Sequence, residues 1–259
     1  MRVYLIIDET GFYHPNFVAR FLEQTKDEVV GAALITKVDP KNNIGLYLMR
    51  HWYYLRIPEM IGLVYGKGIL FLKDLLFPKK KGGSFYSVKS VFRFYKIDYM
   101  EVEYDINKPA HIEKIKEKYP DVIISSCSTI FGTAILSTPK ICCLNRHSAL
   151  LPSYGGLFPV LQAYRSGEEY TGVSIHTMES RIDKGRVLAQ KEIPLRQTDT
   201  IAKLYEKCFT ASVDALLEAL DKVRVNDFRP VKNSYKPSYF SFPSKEQWRQ
   251  FRQRGGRFI

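Results

Sequence analysis

Cysteine is scarce in this sequence, and what there is has no metal or disulfide arrangement. The four cysteines are Cys127, Cys142, Cys143 and Cys208, with no CxxC spacing and no pairing with histidine. Three sit in apolar runs, so they read as reduced core residues of a cytoplasmic protein with no metal. No uninterrupted apolar stretch is long enough to span a bilayer. The opening Met1-Arg2-Val3-Tyr4-Leu5-Ile6-Ile7-Asp8 is too short for a signal peptide and runs into an acidic turn. That turn carries one glycine, Gly11, and lacks the cluster that wraps a phosphate, which argues against a P-loop or dinucleotide fingerprint. Ser148 has no Gly-x-Ser-x-Gly elbow around it, so a serine nucleophile is not indicated. There is no internal repeat and no long basic tail.

What is present suits a folded α/β chain. Its 259 residues fit one large domain, and 45% of them are hydrophobic, enough for a core. The formal net charge of +12 favours phosphate-bearing partners, or simply a basic solvated surface. The lysines are spread widely and no RNA motif or clustered basic helix appears, so nucleic acid is not expected as a partner.

Periodicity gives the order of elements. Val3–Ile7 reads as a buried strand, residues 16–24 as a helix and Val29–Ile35 as a second buried strand. This β-α-β opening implies a parallel sheet with right-handed crossovers. The unit recurs with a strand at Met100–Tyr104, a helix over 111–119 and strands over 121–127 and 138–144. Further on come a helix over 158–165, strands over 172–178 and 187–194, and an amphipathic helix over 199–220. The expected fold is therefore a Rossmann-like open, mostly parallel twisted sheet with flanking helices. Residues 1–225 form the main domain, and 226–259 an extended tail packed on it without a core of its own.

Residues 42–99 are least transparent and read as a helical, aromatic insertion. Residues 47–56 and 57–76 look helical and apolar, and the basic loop Lys79-Lys80-Lys81-Gly82-Gly83 follows. The insertion is expected to be a helical layer packed on the sheet with a solvated lysine loop. The alternative is an aromatic, basic surface for a nucleotide or a membrane face.

Asn145-Arg146-His147 closes the apolar run that starts at Thr138. On a strand, Asn145 and His147 point the same way at its carboxyl end, where open parallel sheets bind ligands. Asn can donate to a developing oxyanion, His can polarise that oxygen or move a proton, and a loop carboxylate such as Asp183 can orient the imidazole. That set suits acyl transfer to an external nucleophile. Spacing alone fits a plain strand-to-turn cap better.

The ordered residues downstream add to this. Asn145-x-His147, Ser148-Ala149-Leu150-Leu151-Pro152-Ser153-Tyr154-Gly155-Gly156, Thr171-Gly172-Val173-Ser174-Ile175-His176, and Ile182-Asp183-x-Gly185 together closely resemble the catalytic domain of the folate-dependent formyltransferases. That group includes glycinamide ribonucleotide transformylase, methionyl-tRNA formyltransferase and the N-formyltransferases of nucleotide-linked amino sugars. The resemblance implies a catalytic triad of Asn145, His147 and Asp183, and 10-formyltetrahydrofolate as co-substrate. It places the pterin near Ser128, Ile130, Phe131 and Ile182, and the acceptor near Arg146, Tyr154 and Gly155. Arg146 stands where relatives usually carry an apolar residue. Gly11 alone makes no phosphate loop of the ribonucleotide enzymes. The segment after Val225 is short for the C-terminal barrel of the initiator-tRNA enzymes. The acceptor expected by elimination is a small-molecule amine on a nucleotide-linked sugar, in a chain for which a homodimer is compatible. Two alternatives stand: delivery of the formyl group to water, as in a 10-formyltetrahydrofolate hydrolase, and transfer to another amine such as an aminoacyl-tRNA.

Overall fold

A computed structural model describes residues 1–9, 12–37, 46, 54–77 and 79–259. The proposed helix over 47–56 falls largely outside these residues, as do Thr10 and Gly11 of the first turn. The elements are, in order, β1 (Arg2–Asp8), α1 (His14–Gln24), β2 (Glu28–Ile35), α2 (Ile57–Leu76), α3 (Val88–Phe94), β3 (Tyr99–Val102), α4 (Pro109–Lys116), β4 (Val122–Ser126), α5 (Thr133–Leu136) and β5 (Cys142–His147). They continue with β6 (Gly155–Gly156), α6 (Pro159–Ser166), β7 (Tyr170–Thr177), β8 (Val187–Pro194), α7 (Ile201–Arg224), β9 (Tyr239–Phe240) and α8 (Lys245–Gln253). Seven strands stand in the order β3-β2-β1-β4-β5-β7-β8, and β6 and β9 form a separate two-stranded ribbon. The sheet is mostly parallel with helices flanking it, as the β-α-β pattern predicted. Two compact units make up the chain, Met1–Leu144 and Asn145–Ile259.

In the first unit β1 is central, paired in parallel with β2 and β4. Val3 to Ile7 are all buried, as befits a strand covered on both faces. Each such side chain contributes about 1.5–3 kcal/mol on burial. The strand order reverses between β1 and β4, the topological switch point of this sheet. Polar groups gather at that carboxyl edge. The buried Asp8 carboxylate accepts the Ser128 N–H at 2.9 Å. Glu9 accepts the N–H groups of Val88 and Lys89, placing a carboxylate on the positive end of α3. Ser87 caps the same helix through Ser90 N–H.

Helix α2 departs from expectation. Its limits match the apolar run, but only Glu59 is buried. It is not a layer packed into the core. Hydrophobic residues all around a helix promise burial, yet they do not say against what.

In the second unit β7 and β8 pair antiparallel, and α7 lies against both. Thr200 caps α7 through Lys203 N–H, and Ile201, Leu204, Phe209, Val213 and Leu216 face inward as an amphipathic helix requires, with Cys208 buried among them. The tail is more than an extended strap. Ser244 and Gln247 form a capping box that starts α8, and Trp248 and Phe251 are fully buried there. Phe251 meets Tyr164 of α6 edge-on, with ring centroids 5.5 Å apart.

Burial pushes the Asp8 carboxyl up to about 6, partly offset by the bond from Ser128. The folded chain thus holds a proton there that the unfolded chain has released, between the ordinary carboxylate range and about pH 6. The stability this lends is present at low pH and lost as pH rises through about 6. Asp8→Asn should therefore melt higher than the wild type at pH 7.5, by about 1–3 kcal/mol. At pH 4 the gain should vanish, and thermal unfolding at the two pH values checks this.

Candidate active site

Strand β5 ends at His147, and alternation puts Asn145 and His147 on one face with Arg146 on the other. The chain then turns through the cis Leu151–Pro152 bond to Tyr154, which has a φ of 58°. Gly155 and Gly156 follow and pair in parallel with Tyr239 and Phe240 of the tail. Five hydrogen bonds fasten this turn to the tail: Ser153 Oγ to Lys236 O, Tyr154 N to Ser238 Oγ, Gly155 N to Ser238 O, Ser238 N to Pro152 O and Leu157 N to Phe240 O. The Tyr154 ring stacks on Phe240 at 5.7 Å, and its hydroxyl donates to Glu168.

The turn faces the His147 ring. His147 Nε2 lies 3.0 Å from Tyr154 O. A carbonyl only accepts, so Nε2 carries the hydrogen. The other ring nitrogen, Nδ1, faces Asp183 Oδ1 at 3.8 Å. Asp183 sits in the loop after β7 with a φ of 54°, a conformation Asp tolerates better than most residues. Its second oxygen, Oδ2, accepts Gly156 N–H at 2.8 Å. That bond turns Oδ1 toward the imidazoles.

A second imidazole completes the cluster. His176 Nδ1 lies 2.8 Å from Thr177 O, so Nδ1 carries its hydrogen and Nε2 keeps a lone pair. Asn145 Nδ2 donates to that lone pair at 3.2 Å, and Asp183 Oδ1 is 3.6 Å from the same nitrogen. The contact fixes which end of the Asn145 amide is which. One amide hydrogen goes to His176, and the other has no acceptor among the described residues. Burial drives the His176 pKa down to about 4, outweighing the attraction of Asp183, so the ring is neutral at pH 7.

Local backbone features hold these groups. The β7–β8 register slips at His176, where Ile175 faces Ala189 and His176 faces Val187. Lys222 Nζ satisfies the carbonyl of the skipped Leu188. After Asp183 the chain returns so closely that a Cβ on Gly185 would lie 1.6 Å from Thr177 O. Gly156, at a φ of 88°, has no room either, since a Cβ would lie 2.1 Å from Phe240 O.

The expected triad thus comes together within the second unit. Of the expected acceptor residues, Tyr154 contributes its carbonyl and Gly155 packs beside Asp183, where a Cβ would meet the Asp183 Cβ at 3.5 Å. Arg146 stands apart. Alternation along β5 sends its guanidinium over the Phe209 ring of α7, 3.7 Å from the centroid, with Nη2 donating to Ser148 Oγ. Burial lowers its pKa to about 10. Its flat face fills the slot of an apolar residue, and it does not face the Asn145–His147 side. Ile182, directly before Asp183, is largely exposed. The other expected pterin residues lie in the first unit, on the loop after β4. Ser128 N–H is committed to Asp8, the exposed Ile130 accepts from Asn107 Nδ2 through its carbonyl, and Phe131 is buried. Sequence reasoning gave no role to His176 or to the 236–240 tail. His176 stood in plain view at the end of an alternating strand. Nothing in the tail sequence signals a two-residue pairing with Gly155-Gly156.

Two expectations follow. Between pH 6.5 and about 4 the unfolded chain binds a proton at residue 176 that the folded chain refuses. Stability from His176 is therefore complete above pH 6.5 and lost as pH falls. The unfolding free energy of wild type minus that of His176→Gln should drop by about 2–3 kcal/mol from pH 7 to pH 4. A flat difference in denaturant melts would contradict the assignment. Gly156→Ala should cost about 2 kcal/mol or more, because the backbone is left-handed and the Cβ meets a carbonyl. Differential scanning calorimetry reads this as a fall in Tm of several degrees.

Comparison with known proteins places this cluster in a family. The formyl transferase family profile matches residues 77–220, more than half of the chain. Methionyl-tRNA formyltransferase of Thermotoga maritima is 35% identical over 141 residues, which make up 54% of this chain and 45% of that protein. The chain therefore spans under half the length of that curated relative. Phosphoribosylglycinamide formyltransferase from Anaplasma phagocytophilum superposes with a TM-score of 0.59 at 16% identity, covering 94% of this chain and 99% of that one. The N-formyltransferase from Helicobacter canadensis, solved in complex with folinic acid and dTDP-3-aminofucose, gives 0.57 at 18%, covering 93% and 71%. At such identities the two structures speak for the fold alone. The chain belongs to the formyl transferase family.

Proposed function

We propose that the chain transfers a formyl group from 10-formyltetrahydrofolate to a primary amine, with Asn145, His147 and Asp183 as its catalytic residues. The observation that carries this is the Asn145 amide, oriented by neutral His176 and left with one free N–H beside the imidazole of His147. In this reading the amine nitrogen attacks the formyl carbon and the carbonyl oxygen becomes an oxyanion. The free amide hydrogen of Asn145 is preorganised to meet that charge. His147 gives its Nε2–H to Tyr154 O, so the group it offers the reaction is the Nδ1 lone pair beside Asp183 Oδ1, able to take the proton that the amine loses. As the new C–N bond forms, the bond from carbon to N10 breaks. The proton lost by the amine passes to N10, by a water-sized step beside Asp183 Oδ1. The products are the N-formyl amine and tetrahydrofolate. Ser128, Ile130, Phe131 and Ile182 remain the proposed pterin contacts, on the resemblance alone.

The proposed acceptor is an amine on a nucleotide-linked sugar. Two observations support it. The half-exposed Tyr239 ring lies on the ribbon beside Asp183, where a base can stack. The Helicobacter canadensis neighbour shares the fold and carries a nucleotide-linked amino sugar in its own structure. A second reading, an aminoacyl-tRNA acceptor, is favoured by the identity to the Thermotoga maritima enzyme and by the net charge of +12.

Incubation of the purified chain with 10-formyltetrahydrofolate and, in parallel, dTDP-linked amino sugars, methionyl-tRNA or no amine separates these readings. Formylated sugar is the expected product. Equal turnover without amine would make the chain a hydrolase. Asn145→Ala should lower the rate by about 10²–10³. His147→Ala and Asp183→Ala should lower it by about 10²–10⁴. Unchanged rates in all three variants would remove the assigned site.

A further inference from the structure

Helix α2 has no use in the site just described, and its surface is unusual. Ile57, Ile61, Val64, Tyr65, Phe71 and Leu75 recur at helical spacing along one side, and all are exposed. Val64 is 75% exposed, Phe71 70% and Leu75 71%, so nothing among the described residues covers the stripe. Twenty helical residues extend it over about 30 Å. Exposed apolar surface of this extent marks a partner site.

The charges around the stripe say which partner. Lys67 and Lys73 are exposed on the helix, and Lys80 and Lys81 on the loop that follows. The two carboxylates of the helix are both engaged within the chain. Glu59 is buried and accepts Arg56 N–H at its own helix start, and Asp74 holds Lys79, Ser87 and Ser90. The helix therefore offers an apolar strip with cations beside it and no free carboxylate. A second copy of the chain would bring lysine to lysine. An anionic lipid surface supplies both the apolar depth and the opposite charge. The helix also carries too many charges to cross a bilayer, and no described helix is long and apolar enough to do so. Its composition suits a position in the plane of the interface, with lysine stems reaching up to the headgroups.

We infer that α2 and the Lys79–Lys81 loop form a membrane-surface docking element that seats the chain on anionic lipid. This inference is independent of the formyl-transfer reading.

Flotation of the full chain with vesicles tests it. Vesicles of phosphatidylcholine with one-third phosphatidylglycerol should carry the protein to the top of the gradient, with at least about tenfold less on pure phosphatidylcholine. Val64→Glu/Phe71→Glu should lose about tenfold or more of the binding, because charge enters the buried strip. Lys80→Glu/Lys81→Glu should lose a similar factor on the anionic vesicles only. All four side chains are exposed, so thermal unfolding should match the wild type. Wild-type protein that stays in the lipid-free fractions would overturn the proposal. So would binding that neither pair of substitutions weakens. A dimer in sedimentation velocity that Val64→Glu/Phe71→Glu dissociates, without vesicle binding, would give the face to a second copy instead.

Discussion

The site depends on the way two imidazoles divide their hydrogens around one carboxylate. His147 gives Nε2–H to Tyr154 O, and His176 gives Nδ1–H to Thr177 O. Each ring then turns its remaining nitrogen toward Asp183 Oδ1, at 3.8 and 3.6 Å. Burial keeps His176 neutral, so it acts as an acceptor for Asn145 and not as a cation beside Asp183. The amide, the imidazole and the carboxylate are thereby fixed by backbone carbonyls and one backbone N–H. Such groups are held by the fold itself and, in the proposed reaction, need not reorganise when charge develops.

Those backbone groups are in turn set by contacts remote in sequence. The Tyr154 carbonyl is placed by a turn that five hydrogen bonds tie to the tail. The same ribbon presents Gly156 N–H to Asp183. Gly156 and Gly185 are two points beside the site where the backbone comes too close for a side chain. The tail keeps its place through Trp248 and Phe251, buried against α6. A lesion in residues 236–251 would therefore reach the His147 ring through Tyr154.

Much of this was legible in the sequence. Consecutive apolar residues in β1 and β4, and helical spacing in α7, follow from burial alone and fixed the α/β class. That Asn145, His147 and Asp183 belong together was legible because the resemblance ties their order to one motif, and their side chains do gather with His176. His176 was harder. On an alternating strand a lone histidine looks like any other residue, and only the bond to Asn145 gives it a role. Arg146 was set near the acceptor by the resemblance, while strand alternation turns it to the other face, over the Phe209 ring. The β6–β9 ribbon involves two residues per strand, some 84 positions apart, with no periodicity to read. Helix α2 had the expected limits but not the expected burial, since hydrophobicity alone does not say what covers a helix.

The tautomers of the two histidines test this account most directly. Long-range ¹H–¹⁵N correlation spectra of the imidazole rings read them in solution. His176 should appear at pH 7 as the neutral Nδ1–H form and stay neutral at pH 5.5, while His147 carries hydrogen on Nε2. A protonated His176 at pH 5.5, or hydrogen on its Nε2, would take away the acceptor that orients Asn145 and contradict the account.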